Sequence, residues 1–226
     1  MNRDIFSNKN KIAHRGVHEK YTENTLPAFK EAIKRNYAIE LDIQLTKDEE
    51  IIVFHDQTLK RLFKVNKAVS SLTLNEIKKY SIIPTLGETL KVVQGKVPIL
   101  IEIKWVKKTD LLIKLLQKQL KNYSGEILIM SFYSRPLYYL KKYHLKYQKG
   151  YLIHRFLPSY FFVQFFLKIN PLDFDFLAVD LNLLKDPLIL SLRKKYYILG
   201  YTINTYQEYY QYKEYANNFI WDSYKS

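Results

Sequence analysis

The sequence predicts an α/β fold of one kind: a (β/α)8 TIM barrel with a small insertion after its second strand, residues 1–226 forming one domain. Three observations lead there. Apolar segments of strand length alternate with segments of helical periodicity from Lys11 to Asp222, and eight such strands fit that span. The chain has 226 residues, 47% of them hydrophobic, which suits one barrel with a sizeable core. Polar residues with chemistry to offer recur at the ends of those strands, the face on which such barrels act. The rival is an open doubly wound sheet, and no G-x-G-x-x-G follows the first strand to favour it.

Taken in order, Lys11–Arg15 reads as the first strand. Thr25–Asn36 reads as a helix capped by Asn24 or Thr25, with Pro27 in its first turn. Ala38–Leu45 is the second strand, and Ile51–Phe54 is a further apolar run ending in His55-Asp56. Residues 57–85 are too many for a simple connection, and SLTLNEIKKY within them predicts a short helix capped by Thr73 or Asn75. This excursion is expected to cap the barrel mouth, and a helix begins near Leu86. The remaining strands are Pro98–Trp105, Glu126–Phe132, Gln148–His154, Phe174–Leu181, Tyr197–Asn204 and Asn218–Asp222. Helices fit between them at Asp110–Tyr123, Arg135–Tyr143, Pro187–Tyr196 and Gln207–Ala216.

Composition narrows the function classes. With no cysteine there is no disulfide, thiol nucleophile or thiolate metal site. The net charge of +14 attracts anions in general, but Lys107, Lys108, Lys114, Lys118 and Lys121 fall on a helical repeat and read as a solvated face. The start, MNRDIFSNKNKIAHRG, holds no apolar stretch of signal-peptide length. The apolar run from Phe156 to Leu167 is too short to span a bilayer. The expectation is a soluble cytoplasmic protein. The aromatic and basic segment 155–171 reads as a helix packed on the barrel, or more sharply as a wall beside the site or a membrane-touching lip.

The chemistry is densest in Ala38–Asp56. A strand has a side-chain period of two, so Glu40, Asp42 and Gln44 share one face and Ile39, Leu41, Ile43 and Leu45 the other. Two acids side by side on a buried strand are costly unless a cation sits between them, and a hard divalent metal is an economical answer. Glu102 and Lys104 repeat the spacing on the third strand. Glu40, Asp42 and Glu102 can hold one Mg2+ or Ca2+, Arg15 and Lys104 an anion beside it, and His14 and His55 can move protons. A metal, two cations and two histidines converging on one anion describe phosphoryl-ester cleavage. His18, His144 and His154 have no such company and read as structural.

The ordered series His14-Arg15-Gly16, Glu23-Asn24-Thr25 with Ala28-Phe29, Glu40-x-Asp42, Thr46-Lys47-Asp48 and His55-Asp56 resembles the glycerophosphodiester phosphodiesterases. Ile83-Pro84-Thr85-Leu86, Ile101-Glu102-Ile103-Lys104, Ser131-Phe132 and Tyr201-Thr202-Ile203-Asn204 continue it, so the resemblance spans about 11–222. It implies a barrel with an insertion after the second strand, and hydrolysis of a glycerophosphodiester to sn-glycerol 3-phosphate and an alcohol. It further implies that Glu40, Asp42 and Glu102 bind one divalent cation, Mg2+ or Ca2+, and that His14 and His55 are the acid–base pair. Arg15 and Lys104 would contact phosphate, Glu23 and Asn24 would line the mouth, and Tyr201, where the family commonly has Trp, would form an aromatic wall.

Other departures are Asn36, Ala38 and Glu49, near which the family often has glycine; Asn36 tolerates a left-handed backbone. The end FIWDSYKS also differs and shows no closing eighth helix, which makes Asp222 a marginal site residue. The expected partner is a small glycerophosphodiester. The alternative is a lysophospholipase-D-like enzyme working at a membrane surface through 155–171. No recognition motif supports nucleic-acid binding.

Overall fold

Strands buried on both faces of a parallel sheet read as nearly continuous apolar runs, and most strands here are of that kind. The computed structural model describes residues 4–6, 10–80, 82–155 and 174–222. Its strands are β1 (Ile12–Ala13), β2 (Ala38–Leu45), β3 (Ile51–Val53), β4 (Ile99–Ile103), β5 (Ile127–Ser131), β6 (Gln148–Ile153), β7 (Phe176–Asp180), β8 (Tyr197–Ile203) and β9 (Asn218–Trp221). Eight of them are parallel in the order β1-β2-β4-β5-β6-β7-β8-β9, and pairing of β1 with both β2 and β9 closes the barrel. β3 stands outside that ring, antiparallel to β2 with Ile43 opposite Val53. The run Ile51–Phe54 therefore does not extend the second strand; it folds back along it.

The first strand is shorter than the sequence suggests, because Arg15 (φ 54°) and Gly16 (φ 79°) turn the chain out of the sheet. The helices are α1 (Leu26–Lys34), α2 (Lys60–Phe63), α3 (Leu74–Ile77), α4 (Leu86–Val93), α5 (Thr109–Leu120), α6 (Ser134–Lys142), α7 (Pro187–Leu192) and α8 (Tyr206–Tyr212). α1 stops before Asn36 because Asn36 adopts φ 55° and closes a Schellman motif, with Tyr37 N donating to Ala32 O and Asn36 N to Ile33 O. Thr25 occupies its N-cap but spends its hydroxyl on Thr22 O rather than on the helix. Thr73 caps α3, and Thr85 caps α4, each through a reciprocal box with the glutamate three residues on.

Outward-facing strand residues such as Leu41, Ile101, Ile129 and Val179 pack under the helices. Inward-facing ones such as Leu100, Leu128, Phe176 and Leu199 fill the barrel, with Ile5 and Phe6 among them. The excursion after β3 carries α2 and α3 and its own apolar cluster around Phe54, Leu59, Val69 and Ile77. Lys107, Lys108, Lys114, Lys118 and Lys121 are exposed, as their repeat suggested. The aromatic segment lies outside the described residues from Phe156 onward. Among the described residues no helix is long and apolar enough to cross a membrane.

Candidate active site

Parallel register sets the carboxylates side by side. Asp42 of β2 pairs with Glu102 of β4, and Glu40 lies two residues back on the same face as Asp42. All three are buried, and one oxygen from each lies within 4.8 Å of the others. Two cations reach the cluster. Lys104 Nζ is 2.8 Å from Asp42 Oδ1 and also bonds Glu102, and Arg15 Nε is 3.3 Å from Asp42 Oδ2. The turn at Arg15 aims its backbone N–H at Glu40 Oε2, 2.9 Å away. Asn24, itself at φ 56°, donates to Asp42 Oδ2 at 2.7 Å.

The charge does not balance. Burial first, then Asp42 and Glu102, pushes the Glu40 carboxyl well above the usual carboxylate range. Burial likewise raises Glu102, partly offset by Lys104. Asp42 is the exception: burial would raise it, but Lys104 and then Arg15 outweigh that and hold it ionised. Asp42 Oδ1 is fully buried and accepts no hydrogen bond of ordinary geometry, close as Lys104 is. Three hard oxygen donors, two of them reluctant to ionise alone, and a lone pair to spare fit a divalent cation.

The two histidines arrive by different routes. His14 follows β1, its N–H donating to Trp221 O, and its Nδ1 meets Asp222 Oδ1 at 2.5 Å. His55 follows β3, which runs back along β2 so that Phe54 N donates to Asp42 O, and its Nδ1 meets Asp56 Oδ1 at 2.6 Å. In each ring a carboxylate engages Nδ1, which sets the ring's orientation and leaves the Nε2 edge for another partner. Burial lowers the His55 imidazole, against the opposing pull of Asp42.

Further residues hold these groups in place. Gln44, the third member of the acidic face, donates from Nε2 to Phe54 O and Asp56 O, both at 2.8 Å, and so latches the His55 segment. Thr46 and Asp48 build the hairpin turn: Thr46 Oγ1 donates to Asp48 Oδ1 and accepts from Glu50 N. Arg61, on α2 of the excursion, grips Asp56 Oδ2 at 2.6 Å and Glu23 Oε2 at 2.9 Å. Glu23 is thereby held between Arg61 and Arg15, whose Nη1 donates to it at 2.8 Å. Nothing in α2's own pattern predicts this; only the topology brings Arg61 there. His18 donates from Nδ1 to the carbonyls of His14 and Gly16, and its Nε2 stands 3.7 Å from Asp222. His154 pairs with Asp180 at 3.1 Å. Tyr201 lines a cavity with His154 and Asp180, its hydroxyl donating to Ile153 O.

Similarity to known proteins points the same way. A glycerophosphodiester phosphodiesterase of Caldanaerobacter subterraneus is 42% identical over 93 residues, 41% of this chain but only 37% of that relative's length. The crystal structure of a glycerophosphodiester phosphodiesterase from Thermotoga maritima superposes with TM-score 0.77 at 29% identity, covering 94% of each chain. A phosphodiesterase of Oleispira antarctica, solved with its product sn-glycerol-3-phosphate, shares the fold at TM-score 0.82 and 21% identity over 94% of this chain and 92% of its own. The family model extends the match from the first of the two histidines into the last strand, residues 14–220, and the chain belongs to the glycerophosphoryl diester phosphodiesterase family.

Proposed function

We propose that this chain hydrolyses glycerophosphodiesters to sn-glycerol 3-phosphate and an alcohol, with one Mg2+ or Ca2+ held by Glu40, Asp42 and Glu102. The observation that carries the reading is a buried three-carboxylate cluster flanked by Arg15 and Lys104 and by two histidines, each engaged at Nδ1 by a carboxylate. When bound, the cation would neutralise charge gathering on the phosphoryl oxygens. Arg15 and Lys104 add two fixed positive charges and orient the phosphate. One imidazole takes the proton from the attacking hydroxyl as its oxygen bonds to phosphorus. The other gives a proton to the alcohol oxygen as its bond to phosphorus breaks. The attacking group is either the substrate's own glycerol hydroxyl, followed by opening of the cyclic phosphate, or water.

The test is release of glycerol 3-phosphate from glycerophosphocholine and glycerophosphoethanolamine. EDTA should abolish it, Mg2+ or Ca2+ should restore it, and His14→Ala or His55→Ala should each cost about 10²–10⁴-fold in kcat. Undiminished turnover in either variant overturns the two-histidine assignment. Turnover of lysophospholipid alone would replace the soluble diester with a lipid substrate.

A further inference from the structure

A cavity of about 370 Å3 opens just outside the barrel rim, beside the proposed centre rather than within it. Its walls come from the turn after β2 (Thr46, Lys47), the excursion (Gln57, Ser70) and the loop after β4 (Trp105, Lys107, Lys108). Two short chain segments separate it from the chemistry. Gln57 is two residues beyond His55, Trp105 is one beyond Lys104, and Gln57 Nε2 donates to Trp105 O at 3.3 Å to bridge them. Two residues of extended chain span about 7 Å, the reach of a small alcohol extending from a phosphate held at Lys104.

The chemistry of the cavity is one-sided. Lys47 and Lys107 join no ion pair among the described residues, and Lys108 pairs with Glu49 in an exposed contact that water screens. Trp105 is 55% exposed and leaves its ring open to a ligand. Another cavity, about 380 Å3 beside His154 and Tyr201, carries Asp180, which pairs with His154, and Glu208, so it offers a second anion no free lysine. An alcohol bearing its own negative charge is therefore steered to the lysine side.

We infer that this cavity is a subsite for the alcohol half of the substrate and selects glycerophosphodiesters whose alcohol carries a second phosphate. The inference rests on the phosphodiesterase reading above and names its substrate class. It is tested with bis(glycerophospho)glycerol, which carries a second phosphodiester, against glycerophosphoglycerol, which does not. Wild type should show the higher kcat/KM on the first, and Lys47→Ala/Lys107→Ala should lower the ratio of the two constants by about tenfold. A ratio that does not move overturns the subsite. Fluorescence supplies a readout independent of turnover. The chain has two tryptophans, and Trp221 is buried, so exposed Trp105 reports on the cavity. In EDTA-treated protein, bis(glycerophospho)glycerol should shift Trp105 emission in wild type, more weakly at high salt and not in the double variant. Absence of any shift overturns the subsite even if both diesters are hydrolysed. A shift without hydrolysis of either would keep the binding site and remove the reaction.

Discussion

Asp222 shows how much one side chain can set. Its oxygen engages His14 Nδ1 at 2.5 Å, and the hydrogen bond from His14 holds the Asp222 carboxyl below the usual carboxylate range. An aspartate in that position fixes the ring's orientation, and in the proposed reaction it leaves Nε2 for the substrate. Asp222→Asn is expected to lower kcat by at least about tenfold with little change in KM, measured by glycerol 3-phosphate release. The sequence made Asp222 a marginal residue, since the end of the chain departs from its relatives' pattern. The acids of β2 and β4 were legible because a period of two marks a strand face. The partner of His55 is its neighbour Asp56, but the partner of His14 was hidden, because Asp222 lies 208 positions away and no spacing rule links them. Asn36 was legible as a tolerated substitute for glycine and does adopt φ 55°. Glu49 also adopts a left-handed backbone, at φ 68°, which its charge gives no reason to expect.

At the scale of elements, the excursion after β3 is joined to the site chiefly by Arg61. The guanidinium bridges Glu23, from the loop carrying His14, and Asp56, the partner of His55. Burial would raise both carboxyls, yet Arg61, joined by Arg15 at Glu23 and by His55 at Asp56, outweighs it and leaves both below their ordinary values. A carboxylate depressed in the folded state contributes stability that is whole above its unfolded pKa, about 4, and disappears as pH falls through its folded value. Stability should therefore decline on acidification below about pH 5, and Arg61→Gln should flatten that decline by returning both groups toward their unfolded values. Urea midpoints of the two proteins between neutral pH and pH 3 check this; parallel curves would contradict it. The sequence predicted the excursion from its length and its helix from a cap at Thr73 or Asn75, of which Thr73 is the one used, but the antiparallel β3 was hidden. A three-residue apolar run has no period, and only its pairing with β2 reveals the direction.

The whole molecule is a barrel whose interior leaves little slack. Gly150 of β6 stands opposite Phe176 of β7, and a Cβ there would lie 2.2 Å from the Phe176 ring. Phe176 is fully buried and its ring centre lies 5.5 Å from that of Phe6, tilted against it, so the ring has nowhere to retreat. Gly150→Ala should cost at least about 1–3 kcal/mol, read as a lowered urea midpoint without change in the slope. The closed ring was legible from alternation of strands and helices alone, whereas its internal fit was not, since one missing methyl group has no sequence period.

Closure has a consequence for His14. β1 is two residues long and gains its second neighbour only when β9, near the opposite end of the described chain, docks alongside it. The same docking delivers Asp222 to His14. The contact that orients His14 therefore exists only in a chain whose first and last described strands have met, and anything that loosens β9 also frees that imidazole.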